Sequence, residues 1–370
     1  METLRWRHFD SVLLVCTVAL VALGIAMVYS ASLATHAEVT DLFDSPPRRQ
    51  ALFAVMGMLL FFVFAALDYR FLGSIAPLLF GASLLLLVVV LVFVDPTYGS
   101  RRWLDLVLAP FQPSEVAKLI LAIVLARFFA DRRAMVKRPL TMAVSMAIAL
   151  GPIGLILLQP NLGTATLLMG LWAAIALIAG VRLRYLGLLV LVGLLSVPFA
   201  YQFALRDYMR DRITAYVDPA ADPLGIGYNV LQAEISVGSG GLLGKGFTNG
   251  TQSQLHFLRI QRTDYIFSVL GEELGFVGAA VLLGVYLLLL FRGLRAAALS
   301  RDDFGRLLAV GIVSILALQI FINVGSNTRL IPVTGLPLPL ISFGGSSLMT
   351  VLMMLGVLES IVLRHRRLEF

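Results

Sequence analysis

Apolar residues fall in ten long runs, at about 10–32, 51–67, 71–94, 114–130, 139–158, 163–181, 186–204, 265–291, 307–325 and 343–363. Most of them reach the roughly 20 residues that a helix needs to cross a bilayer core. A half-buried strand would instead alternate apolar and polar positions, which these runs do not. The pattern therefore predicts an all-α polytopic membrane protein with ten transmembrane helices, read as a single domain over 1–370. Between the seventh and eighth runs it leaves one large connecting loop, 205–264.

Ten spans put both termini on the same side, and the basic residues say which. One set of ends and short loops holds Arg5, Arg7, Arg70, Arg127, Arg132, Arg133, Lys137, Arg138, Arg182, Arg184, Arg292, Arg295, Arg301, Arg306, Arg364, Arg366 and Arg367, which are 17 of the 29 lysines and arginines. Such an excess marks the cytoplasmic face. Both termini are then cytoplasmic, and 205–264 is extracytoplasmic. The first run is long enough to be a retained helix and lacks the short apolar core and cleavage site of a signal peptide.

Composition agrees. The chain is 59% hydrophobic and 14% charged, with a mean hydropathy of +0.91. That is too little charge to solvate two or three soluble domains of this total length. The net charge of +7 would suggest nucleic acid in a soluble protein. Here the cytoplasmic loops explain it, and no nucleic-acid partner is expected. Cys16 is the only cysteine, which excludes an intrachain disulfide or a cysteine-held cluster. The glycine-rich stretch Gly240-Gly241-Leu242-Leu243-Gly244-Lys245-Gly246 resembles a phosphate loop, but Ser239 and Gly246 stand where that motif needs Gly and Ser or Thr. The terminal Leu368-Glu369-Phe370 carries no functional signal.

Polar residues at the outer ends of spans are where chemistry is affordable. Four places qualify. In Gln112-Pro113-Ser114-Glu115-Val116-Ala117-Lys118, proline suits a helix start and Glu115 meets the positive end of the helix dipole. Lys118 lies one turn on, so the two form either an intrahelical ion pair or a cation aimed at an arriving anion. Gln159-Pro160-Asn161 reads as a tight turn. In Arg262-Thr263-Asp264, the aspartate is either a helix cap or a base on the water-accessible rim. Below it Ser268, Gly271, Gly275 and Gly278 make a small-sided stripe, suited to a close helix neighbour or a groove for a thin ligand. Glu272 and Glu273 lie deeper, either paired internally or functional. The prolines of Leu336-Pro337-Leu338-Pro339, before Ser342-Phe343-Gly344-Gly345, forbid a regular helix, so the segment is tolerable only where protein or water satisfies its backbone. Arg101, Arg102, Arg206, Arg210 and Arg212 add outer positive charge, and the run 206–212 reads as a self-paired solvated face.

The residues alone point to an outward-facing cationic site with one candidate carboxylate and a groove for lipid. An enzyme acting on a lipid-linked anion fits this, and so does a flippase, although no inverted repeat of the transporter kind is visible.

At the same places the chain resembles the SEDS family (shape, elongation, division and sporulation), its RodA branch more than its FtsW branch. The resemblance is carried by Arg102-Trp103-Leu104-Asp105, Gln112 to Lys118, Gln159-Pro160, Gly240 to Gly246 with Asn249-Gly250-Thr251-Gln252, Thr263 to Phe267 with Gly271-Glu272-Glu273-Leu274-Gly275, and Leu336 to Ser346. It implies a peptidoglycan glycosyltransferase of the bacterial plasma membrane that polymerises lipid II at the outer face, for cell elongation and rod shape. The implied partners are lipid II, the undecaprenyl-diphosphate-linked glycan, a class B penicillin-binding protein and the elongation machinery. The family's essential aspartate maps to Asp264, which becomes the expected base or acceptor-orienting carboxylate. Glu115 and Lys118 also match residues associated with activity. Together with Arg101, Arg262 and Ser342, they are the expected substrate-binding set. A divalent cation, magnesium or manganese, would suit a diphosphate leaving group, but no ligand cluster in the sequence marks a site for one. Three positions depart from the family pattern: Asn161 replaces an aspartate, Phe343 a tyrosine, and Arg329 a small uncharged residue. Lipid II flipping without chemistry remains the rival reading, and a scaffold that only activates the penicillin-binding protein is a third.

Overall fold

The computed structural model describes residues 8–33, 45–94, 102–105, 110–199, 207–219, 222, 225–255, 257–258 and 260–365. Arg101, Arg206, Arg259 and the basic residues at both extreme ends lie outside these. The elements in order are α1 (Ser11–Ser30), α2 (Pro46–Ala66), α3 (Tyr69–Ser74), α4 (Ala76–Phe93), β1 (Leu104–Asp105), β2 (Pro110–Phe111), α5 (Pro113–Asp131), α6 (Pro139–Leu158), α7 (Leu162–Ala179), α8 (Leu183–Phe199), α9 (Asp207–Val217), α10 (Ile226–Ser239), α11 (Thr251–Gln254), α12 (Ile266–Leu299), α13 (Asp303–Asn327) and α14 (Gly345–Leu363). β1 and β2 pair antiparallel, Leu104 opposite Phe111.

Helix ends follow local chemistry. Proline opens α2, α5 and α6, where its missing N–H costs nothing. The side chains of Asp10, Asn161 and Asp302 cap α1, α7 and α13. Gly180, left-handed at φ 101°, ends α7. Capping gives Asn161 a local function.

Among the described residues, eight helices are long and apolar enough to cross a membrane: α1, α2, α4, α6, α7, α12, α13 and α14. The other two predicted spans form as helices but differ in kind. α8 has only 17 residues and is exposed along most of its described length. α5 carries Glu115, Lys118, Arg127 and Asp131, yet most of its residues are buried among its neighbours. α13 and α14 form the centre of the bundle, with α14 packed along α2 and α13 lying against α5, α7 and α12.

The glycine-rich part of the long connecting segment, 240–246, is ordered around a break in α12. At Gly275 the backbone leaves the helix, φ 67° and ψ −167°. The residues on either side of the break have lost their helical partners, and the glycine-rich turn supplies replacements. Lys245 and Gly246 N–H donate to the carbonyls of Glu272 and Glu273 at 3.0 Å each, and Phe276 and Val277 N–H donate to Gly241 and Leu242 at 2.9 and 3.1 Å. Irregular backbone in a span is allowed when protein satisfies it, and this turn does so. The small-sided stripe therefore ends at Gly275 as a helical face. Its upper part receives 240–244, while Gly278 helps line an apolar cavity of about 430 Å³ between Leu20 and Leu23 of α1 and Val277 and Val281 of α12.

Glu272 completes the joint. Its carboxylate, fully buried, accepts from Lys245 Nζ at 2.8 Å, Thr251 Oγ1 at 3.0 Å and Gln252 N–H at 2.9 Å. Glu273 accepts from Ser30 Oγ of α1. Of the two readings of these deep carboxylates, internal pairing describes Glu272.

Candidate active site

Asp264 sits just before α12 without capping it. Tyr265 occupies the cap position with no side-chain bond, and the Ser268 N–H is taken by Asn327 Oδ1 at 3.2 Å. The Asp264 carboxylate faces Gly335, whose φ of 74° brings the chain close. Oδ2 and the Arg212 guanidinium lie 3.5 and 3.6 Å from the point where a β-carbon would stand. Arg212, on α9, is held there by a bond from its Nη1 to the Val333 carbonyl at 3.2 Å. Arg102 also acts electrostatically on Asp264 and is fixed by donating to the carbonyls of Gln159 and Pro160 at the α6–α7 turn. Burial pushes the Asp264 carboxyl above its ordinary value, and Arg212, the Thr263 hydroxyl and Arg102 oppose that shift. A carboxylate raised by desolvation is a stronger base than one in water, and the two arginines favour its ionised form.

The reading of 206–212 as a self-paired face misses Arg212. Its partners lie on 333–335, more than a hundred residues away, so local charge alternation gives no hint of them.

The proline segment follows Gly335 beside this carboxylate, and side chains of other helices satisfy its backbone. Ser326 Oγ donates to Pro332 O, Asn323 Nδ2 to Leu336 O, Gln319 Nε2 to Pro337 O and Gln50 Nε2 to Ser342 O, at 3.3, 2.8, 2.8 and 3.1 Å. The Tyr286 hydroxyl donates to Pro339 O. Ser342 belongs to the same framework. Its hydroxyl donates to the Thr263 carbonyl at 2.6 Å and accepts from Leu338 N–H at 2.8 Å, bolting the proline segment to the residue before Asp264.

Other predicted site residues stand as follows. Lys118 and Glu115 form the expected (i, i+3) ion pair at 2.8 Å, with only 1% and 3% of their surfaces exposed. Lys118 also donates to Gln319 Oε1 at 3.2 Å. The ammonium is thus turned inward, because both its partners are buried beside it. Arg262 is half-buried, which lowers its guanidinium below the usual range, and its carbonyl accepts from Phe343 N–H at 2.9 Å. Arg101 lies outside the described residues. Arg329, left-handed at φ 56° just past α13, pairs with Glu234 of α10 at 3.3 Å. Among the described residues, no group of three or more His, Cys, Asp or Glu side chains is placed to hold a metal ion.

The chain matches the cell cycle protein family FTSW_RODA_SPOVE over residues 10–367. It is 38% identical over 361 residues to the peptidoglycan glycosyltransferase MrdB of Escherichia coli (strain K12), covering 98% of this chain and 95% of the relative. A chain from a peptidoglycan synthase complex, solved for its structural coordination of polymerization and crosslinking, superposes with a TM-score of 0.79 at 34% identity, covering 96% of this chain and 97% of the other. The crystal structure of the Thermus thermophilus rod shape determining protein RodA gives a TM-score of 0.71 at 33% identity, over 97% of this chain and 98% of that one. With that family matched over residues 10–367 and relatives at 33–38% identity covered nearly end to end, the chain belongs to the FtsW/RodA/SpoVE (SEDS) family and is RodA-like.

Proposed function

We infer that this chain is a peptidoglycan glycosyltransferase that polymerises lipid II into glycan strands at the outer face of the bacterial plasma membrane. The observation that carries this reading is the Asp264 carboxylate, partly withdrawn from water and flanked by Arg212 and Arg102.

The donor is the growing chain on its undecaprenyl diphosphate, and the acceptor is the C4 hydroxyl of lipid II. Attack on the α-linked anomeric carbon gives a β1,4 link with inversion in one displacement, so no covalent enzyme intermediate is needed. As the new C–O bond forms, Asp264 takes the hydroxyl proton, and the electron pair of the breaking C–O bond leaves on the diphosphate. Arg212, Arg102 and Arg262 offset that developing charge. Arg101, adjacent to Arg102 in sequence, stays in the substrate-binding set as a proposal from sequence alone. Glu115, Lys118 and Ser342 support the site from behind, since their polar atoms are bonded to protein. A class B penicillin-binding protein is the partner proposed, within the machinery of cell elongation; the structural neighbour from a peptidoglycan synthase complex that coordinates polymerization and crosslinking supports a cross-linking partner.

Purified protein given fluorescent lipid II should form polymer resolved on a gel. Lipid scrambling without polymer would instead support the flippase reading, and neither result would leave a scaffold. Arg212→Gln should lower polymerisation by about 10-fold or more. The sign of its pH effect follows from the charges. Removing a cation beside Asp264 raises the carboxyl further, so the acid limb of the rate profile should move to higher pH.

Ten spans with cytoplasmic termini remain our topology, supported by the basic loops and by helices at all ten predicted positions. Reporter fusions after Gly250 should behave as external and fusions after Ala134 as internal. The reverse at either site would overturn it.

A further inference from the structure

Gln319, Asn323 and Asn327 are spaced four residues apart on α13 and so share one face. All three are buried, with exposures of 0, 2 and 1%. Primary amides so deep in a helical bundle are costly unless paired, and most of these bonds run toward the active site. Gln319 accepts from Lys118 and donates to the Pro337 carbonyl. Asn323 donates to the carbonyls of Leu336 and Asp264, at 2.8 and 3.1 Å. Asn327 donates to the Asp264 carbonyl at 2.9 Å and to the Asn323 carbonyl one turn back at 2.8 Å, with Asn323 Oδ1 at 3.4 Å, while its own oxygen accepts from the Ser268 N–H at 3.2 Å and hydroxyl at 2.7 Å.

We propose that Gln319, Asn323 and Asn327 form a carboxamide ladder that fixes the backbone of Asp264 against the Leu336–Pro337 segment, and that the buried Lys118–Glu115 pair acts on the reaction through this ladder. The inference rests on the reading of Asp264 as the reacting carboxylate.

The pattern is more specific than stability requires. One donor would satisfy the Asp264 carbonyl, yet two from successive turns of α13 converge on it and occupy both of its lone pairs. The residue just outside a helix is where the backbone otherwise frays. Here Asn327 also holds the first turn of α12, so the base and the start of its helix share one clamp. Lys118 fits as the far anchor. Its ammonium orients the Gln319 oxygen, which turns the amide nitrogen toward Pro337. Gln319, Asn323 and Asn327 are thus positioning residues. A displacement of about 1 Å at a reacting group can cost on the order of 100-fold in rate.

The test uses full-length protein and lipid II, with kcat and KM measured separately. Asn327→Asp keeps the shape and the acceptor for Ser268 but replaces the donor to Asp264 with a second acceptor. Gln319→Glu keeps an acceptor for Lys118 and loses the donor to Pro337. Each should lower kcat at least about 10-fold while KM stays within about twofold. Lys118→Met combined with Gln319→Glu should be no slower than the worse single variant, because both cut the same link. A Lys118 that contacts the diphosphate directly predicts multiplied losses and a raised KM, and that result would overturn its part in the ladder. Ser145→Ala is the structural control. It removes a buried bond from Trp172 elsewhere in the bundle and should lower melting temperature without changing kcat. If Asn327→Asp does not survive extraction, Gln319→Glu reads the same two constants. Wild-type protein that makes no polymer would sink the enzymatic reading itself. Wild-type polymer with unchanged kcat in the ladder variants would sink the ladder alone.

Discussion

Asp264→Asn is expected to abolish most glycan polymerisation, by at least about 100-fold, the lower end of what a general acid–base group contributes. The amide has the carboxylate's shape but cannot take the acceptor's proton. It should leave expression, melting behaviour and association with a penicillin-binding protein unchanged, for a structural reason. The bonds that hold residue 264 run from Asn323 and Asn327 to its backbone carbonyl, which the substitution keeps. Nor is a cap lost, since Tyr265 stands at the cap position and the Ser268 N–H is bonded to Tyr265 O and Asn327. Asp264→Ala would confuse lost chemistry with lost packing. Single-turnover assays with fluorescent lipid II measure the effect, and near-normal turnover would remove Asp264 from the reaction.

The second large effect is on stability. At φ 67° and ψ −167°, Gly275 lies in a region that essentially only glycine occupies, where another residue costs about 1–3 kcal/mol. Space forbids a side chain as well. A β-carbon there would stand 2.3 Å from Gly244 N and 2.6 Å from Leu242 O, both backbone atoms that cannot rotate away. Gly275→Ala therefore has to push out the 240–246 turn, and four backbone hydrogen bonds go with it. The summed loss should exceed about 4 kcal/mol, the range of the most damaging single substitutions. It should appear as failed expression, or as a large fall in melting temperature with new protease cleavage near Gly246. Gly284→Ala, on the same helix with open space around it, is the matched control. Equal melting temperatures for the two variants would show that the turn is not held in the break.

Much of this architecture is written in local pattern. Ten apolar runs became helices because a chain in lipid must satisfy its backbone within each segment, and the hydrophobic length alone shows where. Pro113, Pro139 and Asn161 mark helix starts by chemistry that acts within one turn. The Glu115–Lys118 pair was legible for the same reason, as two residues three apart on one helix. So was the irregularity of 336–340, since proline cannot continue a helix.

What those elements do depended on partners far away in the chain. The sequence offers a cap and a base for Asp264 with equal right, but Tyr265 stands at the cap position, and the Ser268 N–H goes to the Tyr265 carbonyl and to Asn327, 63 residues on from Asp264. It marks Lys118 as an outward cation or an internal ion pair, and Gln319, 201 residues away, turns it inward. Arg212 looks solvated until the 333–335 segment is folded against it. The spacing of the glycine-rich turn rules out a phosphate loop but leaves the turn without a partner until α12 breaks at Gly275 and receives it. Periodicity and capping act over one turn of helix, so sequence determines which segments span and where they start. Hydrogen bonds and charge fall off within a few ångströms, so which polar group meets which is settled only when the helices pack.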